Sequence, residues 1–216
     1  MAEVKVVRRW PRRERPTPPS PPSVKPDRKI RLVAIGASTG GPQVVANLLA
    51  RLPHDLGAPV LIVQHIAPGF TEGLADWLSQ GTPLAVKLAE TSESVRAGTV
   101  YLAREGFQMG ISRDGRIRLT KELAEDGFCP SASYLFQAVA EAYGRSAVGI
   151  LLTGMGRDGA AGLRKLREAG GVTVAQDEES SVIFGMPGEA IRLGAAEYVL
   201  TPAQISEMIR FLVIPG

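Results

Sequence analysis

From Arg31 onward the chain alternates short apolar, β-branched runs with longer stretches whose apolar residues recur at helical spacing. RLVAIG (31–36) reads as a buried strand, and PQVVANLLARL (42–52) as an amphipathic helix. Pro42 suits that helix's first turn, where its missing N–H costs nothing. PVLIVQ (59–64) is a second buried strand, 68–80 a second helix and LAVKLA (84–89) another extended run. VYLA, FQMGIS and GRIRLT follow, with SRDG a hairpin turn between the last two. The rhythm then resumes: helix over 131–143, strand over 146–154, helix over 159–169 and strand VTVAQ over 172–176. A short helix near Pro187, the strand EYVL (197–200) and a helix from Pro202 complete it. Continuous apolar strands separated by helices predict an α/β fold. Its sheet is doubly wound and mostly parallel, with helices on both faces and a small antiparallel hairpin extension.

Residues 1–29 break this pattern. They hold seven of the 16 prolines, around PTPPSPPSVKP, and lack apolar periodicity, which predicts an extended linker or arm ahead of a folded domain over 30–216. Charge divides the same way. Residues 1–31 carry ten Lys/Arg against three Asp/Glu, a balance of +7, so the net +3 leaves −4 for the remainder. A basic arm can meet an acidic partner surface. The folded part carries no basic recognition helix, zinc spacing or aromatic-rich basic strand, which argues against nucleic acid. A single cysteine, Cys129, cannot form an internal disulfide and suits a reducing cytoplasm. No run approaches the roughly 20 apolar residues of a membrane span, and no apolar signal core follows the basic N-terminus.

In doubly wound sheets, sites form beyond the carboxyl ends of strands. Three such loops carry unusual residues: GASTGG, HIAPGF and TGMGRDG. Gly36-Ala37-Ser38-Thr39-Gly40 matches the G-x-S-x-G spacing of a nucleophile elbow, but a plain structural turn or a phosphate cradle would read alike. A serine nucleophile needs a base. His65, at the end of an apolar strand, is placed for it, whereas His54 sits in a polar connection. Asp158 could hold the imidazole or merely cap the following helix. Amides around Met155 and Gly156 could face a tetrahedral intermediate. A dinucleotide site would want an acidic residue near the end of the second strand; Gln64-His65 stands there instead. A catalytically silent interaction module is the remaining alternative, weakened by Ser, His and Asp occupying three separate loops.

Together IGASTGGPQVV, VQHIAPGFT, AGTVYLA, PSASYLF, GILLTGMGRDGAAGL, AQDEESSVIFGMPGEAI and LTPAQI resemble the catalytic domain of the CheB family, the chemotaxis receptor protein-glutamate methylesterases. The resemblance runs from about Arg31 to Leu212. It implies a cytoplasmic serine hydrolase acting on glutamyl γ-methyl esters of chemoreceptor helices, with deamidation of receptor glutamines as a second activity. It places the catalytic serine on Ser38, the histidine on His65 and the aspartate on Asp158. Thr39 follows the serine, Met155 supplies an oxyanion amide, and no metal or organic cofactor is called for. Members usually carry a receiver domain ahead of this one; here the Pro/Arg stretch precedes the core, so either a receiver lies outside this sequence or regulation differs, a separate receiver protein being one such route. Two departures are Pro130-Ser131-Ala132-Ser133, where an acid often closes the segment, and Gln108, where a histidine is common.

Overall fold

The computed structural model describes residues 29–122 and 127–213. In chain order the elements are β1 (Leu32–Ala37), α1 (Gly41–Leu49), β2 (Val60–Gln64), α2 (Thr71–Gly81), β3 (Ala85–Leu88), β4 (Thr99–Leu102), β5 (Gln108–Ile111) and β6 (Ile117–Thr120). They continue with α3 (Ala132–Ala142), β7 (Ala147–Leu151), α4 (Ala160–Glu168), β8 (Val172–Gln176), α5 (Met186–Arg192), β9 (Tyr198–Leu200) and α6 (Pro202–Leu212).

Strands that are apolar on both faces need cover on both faces, and this requirement sets the layering. β1, β2, β7 and β8 are buried along their full lengths. Val33, Ile35, Ile62 and Ile150 point into a core with α1, α2 and α6. Leu32, Ala34, Val63 and Leu151 point the other way, against α3, α4, α5 and the β5–β6 hairpin. The result is the expected three-layer α/β arrangement around a parallel sheet of order β3-β4-β2-β1-β7-β8-β9.

The hairpin is smaller than the extended segments around it. β5 and β6 pair antiparallel as a separate two-stranded sheet, while β4 joins the main sheet in parallel between β3 and β2. Gly115 takes φ +77° in the SRDG turn. The helix expected over 68–80 starts only at Thr71, because Gly69 adopts φ +83°, outside the helical region. The strand expected over 146–154 ends at Leu151, since the amide of Gly154 turns to the carbonyl of Ile183. Among the described residues no helix is long and apolar enough to cross a membrane. The proline-rich stretch, apart from Lys29, lies outside the described residues.

β1 has β2 on one side and β7 on the other, and the chain reaches them in opposite directions. Such a reversal of strand order opens a crevice at the carboxyl edge. The loops carrying Ser38, His65 and Asp158 leave the sheet at that edge.

Candidate active site

Ser38 is the first residue past β1, half-buried, and its position is set by backbone register. Its amide donates to the carbonyl of Thr153 (3.0 Å), and the amide of His65 donates to the carbonyl of Ala37 (2.9 Å). The three neighbouring chains thus stay locked one residue beyond the strands. The carbonyl of Ser38 accepts from the amide of Gly41 (2.8 Å) and from Gln64 Nε2 (2.8 Å), which also donates to the carbonyl of His65 (2.8 Å). Gln64 therefore ties the serine turn to the histidine turn. Two glycines are required here. Gly40 turns at φ +79°, and a Cβ on it would stand 2.6 Å from Val182. A Cβ on Gly154 would fall 2.7 Å from Ser38 Cβ and 2.3 Å from Met186 Sδ, so the β7 loop can lie directly against the serine.

His65 and Asp158 meet across this crevice. Nε2 of His65 lies 2.8 Å from Asp158 Oδ2, with the aspartate side chain fully buried. The contact has ion-pair distance but does not line up as a hydrogen bond along the ring N–H. With Nε2 turned to the carboxylate, a proton taken from a neighbouring hydroxyl would go to Nδ1. The carboxylate itself is held by four donors: Ser131 Oγ (2.8 Å) and the amides of Ala132 (2.7 Å), Ser133 (2.9 Å) and Gly159 (2.7 Å). An ionised carboxylate is acceptor-only, so this set matches an aspartate anion. Three of the donors lie at the start of α3, where the helix's positive end favours negative charge. The reading of Asp158 as a cap of the following helix is thereby corrected: α4 begins after Gly159 at φ +86°, and the carboxylate mainly serves α3.

The oxyanion candidates line the same edge. Met155 is 72% exposed, and Gly156 turns at φ +90°. Their loop is pinned at its base, where the carbonyl of Gly154 accepts from the amides of Gly185 (3.1 Å) and Met186 (2.9 Å). Thr39 is exposed beside Ser38, and its carbonyl accepts from Thr153 Oγ1 (3.0 Å). His54 lies in the exposed turn ahead of β2, at the opposite edge of the sheet.

Sequence reasoning missed several supporting residues. The buried Gln64 and Gln176 each end a fully buried strand, a polar terminus that could have signalled a structural amide. Gln176 Oε1 accepts from the amide of Thr153 (2.8 Å), fixing the carbonyl side of the Ser38 turn. Phe128 stacks flat on His65, with ring centroids 4.6 Å apart and planes 5° from parallel. Nothing in the local sequence announced it. Burial pushes the neighbouring Cys129 thiol up, so it stays protonated near neutral pH and does not compete as a thiolate nucleophile.

A family model described as CheB methylesterase matches residues 33–209. The chain belongs to the CheB methylesterase family. Its relatives include a protein-glutamate methylesterase/protein-glutamine glutaminase of Syntrophus aciditrophicus, 48% identical over 97% of this chain and 61% of that protein. A second, from Geobacter metallireducens, is 50% identical over 95% of this chain and 60% of that protein. The chain thus spans about three fifths of the length of these relatives. The crystal structure of the Thermotoga maritima CheB methylesterase catalytic domain superposes with a TM-score of 0.81 at 38% identity, covering 85% of this chain and 99% of that one. The CheB catalytic-domain fold is therefore the fold of this chain.

Proposed function

We propose that this CheB-family domain hydrolyses glutamyl γ-methyl esters on the cytoplasmic helices of chemoreceptors, giving glutamate and methanol. Deamidation of receptor glutamines would be a second reaction of the same site. The observation that carries the reading is the His65–Asp158 pair, 2.8 Å apart, built on the strand-end turn adjoining that of Ser38.

In this mechanism the Ser38 hydroxyl attacks the ester carbonyl while Nδ1 of His65 takes its proton. Asp158 stabilises the imidazolium that forms. Amides at Met155 and Gly156 face the developing oxyanion, with Thr39 at the substrate side. Methanol departs with the proton returned by His65, leaving an acyl-serine. Water, deprotonated by the same imidazole, then releases glutamate. A glutamine substrate would follow the same path with ammonia as leaving group. The exposed apolar side chains of Phe128, Met155, Val182 and Ile183 around this edge suit docking against a receptor helix.

The test is methanol release from a methylated receptor fragment. Ser38→Ala is expected to lower turnover by about 10⁶-fold and Asp158→Asn by about 10⁴-fold. Near-normal turnover in Ser38→Ala would overturn the mechanism.

A further inference from the structure

We infer that Phe128 is a positioning residue for His65, held in place by Gln108, and that its ring face favours the protonated imidazole formed as Ser38 attacks. This rests on the reading of His65 as the base.

Phe128 is large, apolar and 41% exposed, an arrangement that gains little from burial. What it does make is a near-parallel stack on the imidazole, at 4.6 Å and 5°. The Asp158 contact is close yet off the N–H line, so by itself it leaves the plane of the ring loosely set. A flat aromatic neighbour sets that plane. The same geometry presents the electron-rich face of Phe128 to a ring that becomes a cation during the reaction, which lowers the energy of the charged form.

The position of Phe128 is itself specified from the core. Gln108, on β5 and fully buried, donates from Nε2 to the carbonyl of Phe128 (2.6 Å) and accepts at Oε1 from the amide of Ser131 (2.8 Å). Both ends of one amide thus clasp the loop over 128–131. One end of that loop carries the ring on His65; the other carries Ser131, whose hydroxyl donates to Asp158. A single buried side chain therefore places both neighbours of the imidazole. The two hydrogen bonds also satisfy both ends of a fully buried amide.

The test compares Phe128→Leu, which keeps apolar bulk but has no π face, with Phe128→Tyr, which keeps the face. Because Phe128 lies at the surface, both variants should fold. The chain has two histidines, so the His65 imidazole is followed by NMR titration after assignment with His54→Gln. Losing the ring removes stabilisation of the cation. The His65 titration midpoint should therefore fall by about half a pH unit in Phe128→Leu and stay at the wild-type value in Phe128→Tyr. On a small glutamyl methyl ester, kcat should drop about fivefold in the leucine variant with KM almost unmoved, and the acid limb of kcat/KM should shift down with the titration. Gln108→Leu should act in the same direction, and the double variant should be no worse than the poorer single one, as expected of a shared path. An unshifted or raised midpoint in Phe128→Leu, or a tyrosine variant that behaves like leucine, would overturn the inference. Ser38→Ala run in the same assay separates the two failures: if it stays active, the catalytic reading falls, and if it is dead while Phe128→Leu is normal, only the role of Phe128 falls.

Discussion

At the scale of single residues, the site is governed by close approaches that leave no spare volume. Gly154 allows the β7 loop to touch Ser38, and any side chain there would strike both Ser38 Cβ and Met186 Sδ. Gly154→Ala is expected to displace the serine and lower kcat by about 100-fold, the cost of misplacing a reacting group by roughly 1 Å. Methanol-release kinetics check this, and circular dichroism of the same sample separates misplacement from unfolding. Ser38, His65 and Asp158 could be found in the sequence because each follows an apolar strand, so the fold class alone sends them to one edge. Phe128 could not, and Gln108 stood out only as a departure from the family pattern, without a role. Their partners lie 20 or more residues away along the chain, across a hairpin, and no spacing rule links an exposed phenylalanine to an imidazole.

At the scale of elements, the two helical layers have different duties. α3 and α4 carry the acid: Ser131, Ala132 and Ser133 hold Asp158, and Gly162 of α4 lies so close that a Cβ there would stand 2.3 Å from the carbonyl of Ser133. α6 packs on the other face, where Thr201 and Gln204 form a capping box at its start. Two substitutions should separate these roles. Thr201→Ala should cost about 1 kcal/mol of stability and leave kcat unchanged. Gly162→Ala should cost about 1–3 kcal/mol through overpacking and also lower kcat, because its clash pushes on the backbone that holds Asp158. Urea unfolding and turnover measured on the same preparations give the comparison. Most element types were legible because apolar periodicity is local. Their ends were less so: the start of α2 depends on the positive φ of Gly69 in a local turn, and the end of β7 on the long-range contact of Gly154 with Ile183.

At the scale of the whole molecule, the chain order Ser38, His65, Asp158 follows from where the sheet reverses. β1 and β2 are laid down first, and β7 arrives later on the other side of β1, so Asp158 comes last in sequence yet stands beside His65. The apolar strands predicted the parallel sheet. They could not predict that β4 would insert between β3 and β2, because its burial pattern suits either a hairpin or a sheet interior. The same framework decides how the site wears out. The amides of Ser38 and His65 donate into carbonyls of neighbouring segments at the carboxyl ends of the central strands of a seven-stranded sheet. Their deuterium exchange should therefore require opening of the sheet itself and fall in the slowest class of the protein. Rapid exchange at either amide would show instead that the strand ends fray. With slow exchange, the turns carrying Ser38 and His65 endure as long as the fold does, so the proposed site would be lost only when the whole structure is lost.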